Sequence, residues 1–256
     1  METIAVTGIV LSAMQVQEAD RRLVLLTKEQ GRITVFARGA SRPRSALVGV
    51  TRPFVTGEFE LRPGRDAYTL LSARPREYFD ELSKDYDRMT FGLYFLELAA
   101  YFSVENVEGL ELLNLVFLAL KALEKGKMPV PLIRMVYEYR LFVISGEYPQ
   151  VFQCAVTGKP LAEGYFSLAR REALCNECAG GEPGLIRLDA SAMYTLQYIL
   201  TAPLQKLFGF AVSAAVYEVL SGLLAAWKKR FLAREFRTEA FLPELAFPRD
   251  GEKARD

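Results

Sequence analysis

The period of the hydrophobic pattern changes near Glu77, and that change limits what this chain can fold into. Before it, residues 4–12, 22–28, 32–38, 53–61 and 68–74 are rich in Val, Ile, Thr, Phe and Tyr and partly alternate apolar with polar positions, as short strands do. Turn chemistry separates them at Glu29-Gln30-Gly31, between Gly39 and Pro43, and at Pro63-Gly64-Arg65-Asp66. After it, Phe79, Leu82, Tyr86, Met89, Leu93, Leu96 and Ala100 recur at spacings of three and four, which predicts one buried helical face.

Five short strands with one long loop after the third predict a small closed or nearly closed barrel of the OB type, though an SH3-like barrel would share the signature. A second helix is expected with Leu110, Leu113, Phe117 and Leu120 inward and Gly126 as its stop, and a third with Leu132, Val136, Tyr139 and Val143 after Pro129 and Pro131. Residues 147–187 break this pattern with prolines and glycines and hold every cysteine, so they read as an inserted hairpin-like module. Helices resume behind Asp189 and Ser213, the latter with Val216, Leu220, Leu223, Trp227 and Phe231 on one face. The expected class is multidomain α+β: a barrel at 1–76, a helical domain at 77–146 and 188–247, the insertion at 147–187, and a polar tail at 248–256.

Charge is segregated along the chain. Between Arg21 and Arg65 stand ten bases against the three acids Glu29, Glu58 and Glu60, although the whole chain carries only +1. The stretch TVFARGASRPRSALVGVTRPF, residues 34–54, contains no acid at all. An arginine-rich loop between strands suits phosphate, and a local excess of this kind attracts a polyanion that the bulk charge would not. Arg38, Arg42 and Arg44 are the expected backbone contacts, with Arg21, Arg22, Lys28, Arg32 and Arg52 extending the track across the barrel. Phe36 and Phe54 could stack on bases but are expected in the barrel core.

Catalysis finds little footing. The chain has no histidine, no G-x-x-x-x-G-K-[ST] loop and no carboxylate cluster of metal spacing, and acids such as Asp80, Glu81, Asp85 and Asp87 fall on a helix surface. No apolar run reaches the ~18 residues of a membrane span, and no basic segment leads a signal-like stretch, so a cytosolic protein is expected.

Cys175 and Cys178 form a C-x2-C knuckle with Cys154 upstream, but the position three after Cys154 is Thr157. A four-cysteine zinc site takes two such knuckles. Three readings stay open: zinc held by Cys154, Cys175 and Cys178 with a carboxylate or water as fourth ligand, a hairpin that has lost its metal, or ordinary semi-buried thiols.

Taken together, the N-terminal strand run, ARGASRPRS with VGVTRPF, FGLYFLELAA, VYEYRLFVISGEYP leading into QVFQCAVTGKP, YFSLARREALCNEC and LAREFRTEAFL make the chain resemble the RecO family of bacterial recombination mediators. The resemblance implies an N-terminal OB barrel, a helical domain with a zinc-finger-like insertion, and no catalytic turnover. It implies binding to single- and double-stranded DNA, annealing of complementary strands, and cooperation with RecR to load RecA onto DNA coated by the single-strand-binding protein SSB, in the cytoplasm at the nucleoid. It also implies that the acidic, apolar-ended tail of SSB docks on the helical domain. Lys228, Lys229, Arg230 and Arg234 are a candidate for that contact, or a helix end complementing its own dipole. Against this stands a scaffold that binds proteins and touches DNA incidentally.

Overall fold

The computed structural model describes residues 3–232 and 234–249, so the expected tail lies outside the described residues from position 250 onward. The described residues fall into two compact units, one within Met1–Glu124 and Phe236–Pro243, the other within Lys125–Glu235 and Glu244–Asp256.

In the first unit, β1 (Ile4–Gln15), β2 (Arg21–Thr27), β3 (Gly31–Ala37), β4 (Thr56–Pro63) and β5 (Tyr68–Glu77) close into a barrel in the order β1-β2-β3-β5-β4. Period-2 alternation turns Val6, Val10, Leu23, Leu25, Ile33, Val35, Phe59, Leu61 and Leu70 into one buried cluster. At ~1.5–3 kcal/mol for each large apolar side chain buried, that cluster is the main stabiliser of the barrel. The same alternation sends Phe36 outward, where it is 39% exposed, so the expectation that it belongs to the core is corrected. Phe54 is also outside the core cluster; it is half-buried, with its ring against Gly92.

The connection from β3 to β4 carries a single short turn of helix, α1 (Leu47–Val50). Helices α2 (Tyr86–Phe102) and α3 (Leu110–Lys125) belong to this unit, and Asp85 caps α2 by accepting from the Arg88 amide at 3.0 Å. The face expected for α2 is met at Leu96, but Phe91, Tyr94, Phe95, Leu98 and Ala99 are buried as well, whereas Tyr86 is 68% exposed. Phe79 and Leu82 are buried from a 3-10 turn ahead of the helix, so they do not share its periodicity. Gly31 has φ +60°, and a Cβ there would stand 2.1 Å from the Val104 carbonyl, so the β2–β3 turn requires glycine.

The second unit holds α4 (Val130–Ile144), a three-stranded sheet of β6 (Gly164–Ser167), β7 (Glu172–Leu174) and β8 (Leu185–Leu188) in the order β7-β6-β8, and then α5 (Ala190–Thr201) and α6 (Ala214–Phe231). Asp189 and Ser213 cap α5 and α6 through the amides of Ala192 at 2.8 Å and Val216 at 3.3 Å. Leu220, Leu223 and Trp227 are buried as their spacing requires, and Arg140 closes the end of α5 by donating to the Leu200 carbonyl at 2.8 Å. Among the described residues, no helix is long and apolar enough to cross a membrane.

Candidate nucleic-acid interface

The arginine-rich loop is held in place from beneath. Ala40 is buried in the barrel cluster, the Gly39 amide donates to Asp20 Oδ1 at 2.7 Å, and the Ser41 amide donates to the Ala19 carbonyl at 2.9 Å. Arg21, at the start of β2, donates from Nη1 to Thr51 Oγ1 at 2.8 Å and to the Val48 carbonyl at 3.2 Å, and from Nε to Ser41 Oγ at 3.3 Å. A guanidinium supplies five donors in a fixed fork, so one side chain can tie three points of a loop. Arg21 is therefore the fastener of the loop, not part of its outer surface.

Arg38, Arg42 and Arg44 are exposed on that loop, and among the described residues none of them makes an ion pair. Strand register brings other bases to the same end of the barrel. Arg22 pairs with Phe36 in β3, and Arg62 pairs with Thr69, itself the β5 partner of Phe36; Arg65 follows in the β4–β5 turn. The charge excess includes Arg62 and Arg65 but the expected contact set does not, because only the β3–β5 pairing brings Arg62 into the row of Phe36. The acids at this end are Glu18, Asp20 and Asp66, and Asp20 is engaged with the Gly39 amide.

The remaining expected contacts are elsewhere. Lys28 is exposed and Arg32 half-buried at the opposite end of the β2–β3 ladder, roughly 20 Å of strand from Arg22. Arg32 donates to the Ala100 carbonyl in the last turn of α2 at 2.7 Å and lies 3.9 Å from Glu105, so it fastens β3 to a helix end. Arg52 is exposed with its guanidinium 3.8 Å from Asp80 and over the Tyr78 ring.

In the second unit, the basic end of α6 is divided. Lys228 Nζ lies 2.9 Å from Glu138 Oε1; the carboxylate is buried and the lysine partly so. Glu138 also receives Arg134 Nε at 2.9 Å. Lys229, Arg230 and Arg234 are exposed, and the first two complement the helix C-terminus.

The three cysteine sulfurs lie within 4.8 Å of one another, Cys154 buried and Cys175 and Cys178 partly so. Tetrahedral zinc with ~2.3 Å bonds sets its sulfurs roughly 3.8 Å apart, so these residues fit such an ion after a small contraction. Burial pushes the Cys154 thiol up, but the Cys175 amide, at 3.3 Å from its sulfur, the Thr157 hydroxyl and the amides of Thr157 and Val156 outweigh it and bring it to about 6. Hydrogen bonding to Cys175, burial and the charge on Cys154 push Cys178 up to about 12. Donors aimed at a sulfur in this way are what a metal-bound thiolate requires. In sequence, Thr157 holds the position three after Cys154 where a second knuckle would supply its other cysteine.

Comparison with known proteins covers nearly the whole chain. Residues 1–79 match the family described as Recombination protein O N terminal, and residues 83–240 match Recombination protein O C terminal. The DNA repair protein RecO of Acetivibrio thermocellus is 30% identical over 247 residues, 96% of this chain and 98% of its own length. That of Desulforudis audaxviator is 32% identical over 239 residues, 93% of this chain and 95% of its own length.

Proposed function

The chain belongs to the RecO family of DNA repair proteins, and from that premise we propose that it is a recombination mediator that binds DNA through its barrel, without turnover of its own. The observation that carries this reading is the cluster of unpaired guanidinium groups, Arg38, Arg42 and Arg44, on a loop fixed by Arg21, with Arg22, Arg62 and Arg65 joined to it by strand register. Such groups neutralise phosphates and release counterions, which gives affinity without sequence choice for single and double strands alike. Two complementary strands whose backbones are neutralised in this way approach with their mutual repulsion lowered, so annealing needs neither nucleotide nor metal.

RecR, the SSB tail and, through them, RecA on SSB-coated single strands are the partners that the family membership supports, in the cytoplasm at the nucleoid. Cys154, Cys175 and Cys178 would hold one zinc ion, with a carboxylate or water completing it; the ion, when bound, would serve as a structural clamp between the Cys154 loop and the β7 knuckle.

Binding of the full chain to fluorescent single- and double-stranded oligonucleotides over a range of salt, followed by annealing of complementary strands in the same buffer, tests this reading. Affinity that falls linearly with the logarithm of salt, together with faster annealing, is expected. Absence of salt-sensitive binding would favour the scaffold role instead.

A further inference from the structure

We propose that the outer face of the barrel carries a stacking site for one unpaired nucleobase, built on Phe36. This rests on the reading of the barrel as a DNA-binding element and adds the base to a ligand otherwise recognised by its phosphates.

Register aligns one row across all five strands: Met14 faces Arg22, Arg22 faces Phe36, Phe36 faces Thr69, and Thr69 faces Arg62. Neighbouring strands lie ~4.8 Å apart, so Met14 and Arg62 each stand roughly 10 Å from Phe36 along the row. Phe36 is 39% exposed and Met14 57%, and among the described residues no other ring or cation lies on the Phe36 ring. Arg22 donates to Thr34 Oγ1 at 3.4 Å, and Thr34 is two residues from Phe36 on the same face, so the guanidinium is tethered roughly 7 Å along the strand from the Phe36 row and leaves the ring uncovered.

Single exposed apolar side chains are ordinary on any surface. Here an aromatic ring and a thioether alternate with two arginines in one row that contains no carboxylate, and Glu60, on the same face, is hydrogen-bonded to Ser72 Oγ at 2.8 Å. An apolar plate with Arg22 on one neighbouring strand and Arg62 beyond Thr69 on the other side complements a base with the phosphates of its own strand to either side. A duplex keeps its bases paired and stacked inside. The row therefore gives the barrel a means of favouring single strands, which phosphate contacts alone do not supply.

The test uses the full chain with Phe36→Ala and Phe36→Trp against a dT oligonucleotide, an abasic oligonucleotide of the same length and a duplex. Phe36→Ala should weaken dT binding by about 5- to 150-fold with an unchanged salt slope, and leave abasic and duplex affinity unaltered. Phe36→Trp should keep the affinity and show fluorescence quenching by dT, readable because the native tryptophan, Trp227, is 1% exposed. Unchanged dT affinity for Phe36→Ala, an equal loss on the abasic strand, or no quenching would overturn the stacking site while salt-sensitive binding of the parent chain still upheld the DNA-binding barrel. Failure of the parent chain to bind any of the three would overturn both.

Discussion

Arg21 Nη1 lies 2.8 Å from the hydroxyl of Thr51, thirty residues further along, and this bond closes the arginine-rich loop back onto the barrel. Thr51 is fully buried and passes the contact on to the Leu47 carbonyl at 2.7 Å, so α1 and the loop are held as one piece. The arginines offered to solvent are thus positioned by one that is not.

Arg21→Ala should cost about 1–3 kcal/mol, the range for losing hydrogen bonds to a charged donor and leaving a buried hydroxyl unmatched. Arg21→Lys should recover only part of it, because an ammonium cannot span three acceptors. Urea midpoints and amide exchange over residues 38–52 measure this; unchanged exchange would mean the loop is fixed by other contacts.

Arg42→Ala with Arg44→Ala should reduce the slope of log affinity against log salt by about 0.7–0.9 for each phosphate contact removed, with stability within about 0.5 kcal/mol of the parent. Arg32→Ala should do the reverse, lowering stability through the freed end of α2 while leaving the slope as it was. Equal slopes in parent and double variant would remove Arg42 and Arg44 from the interface.

Glu138→Ala should destabilise the protein by about 1–3 kcal/mol, since it strips the partly buried Lys228 and Arg134 of the carboxylate they share. Lys229→Ala, on an exposed side chain, should stay within about 0.5 kcal/mol. Chemical denaturation of the two variants side by side separates the structural half of the α6 basic end from its surface half.

Thr157→Cys should raise zinc affinity by more than roughly tenfold by supplying a fourth thiolate beside Cys154. Competition against a chromogenic chelator reads the change. No gain would show that Thr157 does not stand at the open coordination position.

Glu77 and Lys121 pair at 2.6 Å between the end of β5 and α3. The Lys121 hydrogen bond, opposed by burial and aided by the Phe79 and Tyr78 amides, holds the Glu77 carboxyl below its usual value. Its stabilisation is therefore complete above the ordinary carboxylate range near pH 4.3 and is lost as pH falls through the lower folded value. Burial pulls Lys121 down, but Glu124 and Glu77 outweigh it and raise it, so its share persists through neutrality and is lost only in strong alkali. Glu77→Gln should cost roughly 0.5–1 kcal/mol at pH 7, and the difference from the parent should vanish toward pH 3. A gap that stayed constant with pH would point to packing instead of charge.

The five strands were legible because each alternates within itself: Leu23 and Leu25, or Ile33 and Val35, show their inward face without reference to any neighbour. The caps Asp189 and Ser213 were legible for the same reason, since a cap acts over three residues. The phase of α2 was not, because Phe91, Phe95 and Leu98 compete with Tyr86, Met89 and Leu93 for the inward side, and the apolar residues surround the helix. Phe36 was misplaced for want of a register: a phenylalanine in a strand suggests core until its neighbours are seen to take the inward positions.

The sequence by itself determined that an acid-free, arginine-bearing loop joins two strands of a small barrel and that three thiols fall in one insertion, since both follow from local order along the chain. Tertiary structure alone decided which cations are offered outward. Arg21, Arg32 and Lys228 look like Arg42 on paper, but they are consumed by Thr51, Ala100 and Glu138, partners 30, 68 and 90 residues away. A charge is available to a ligand only where the fold leaves its hydrogen-bonding capacity unmet, and contacts between residues so far apart in sequence exist only once the chain has folded.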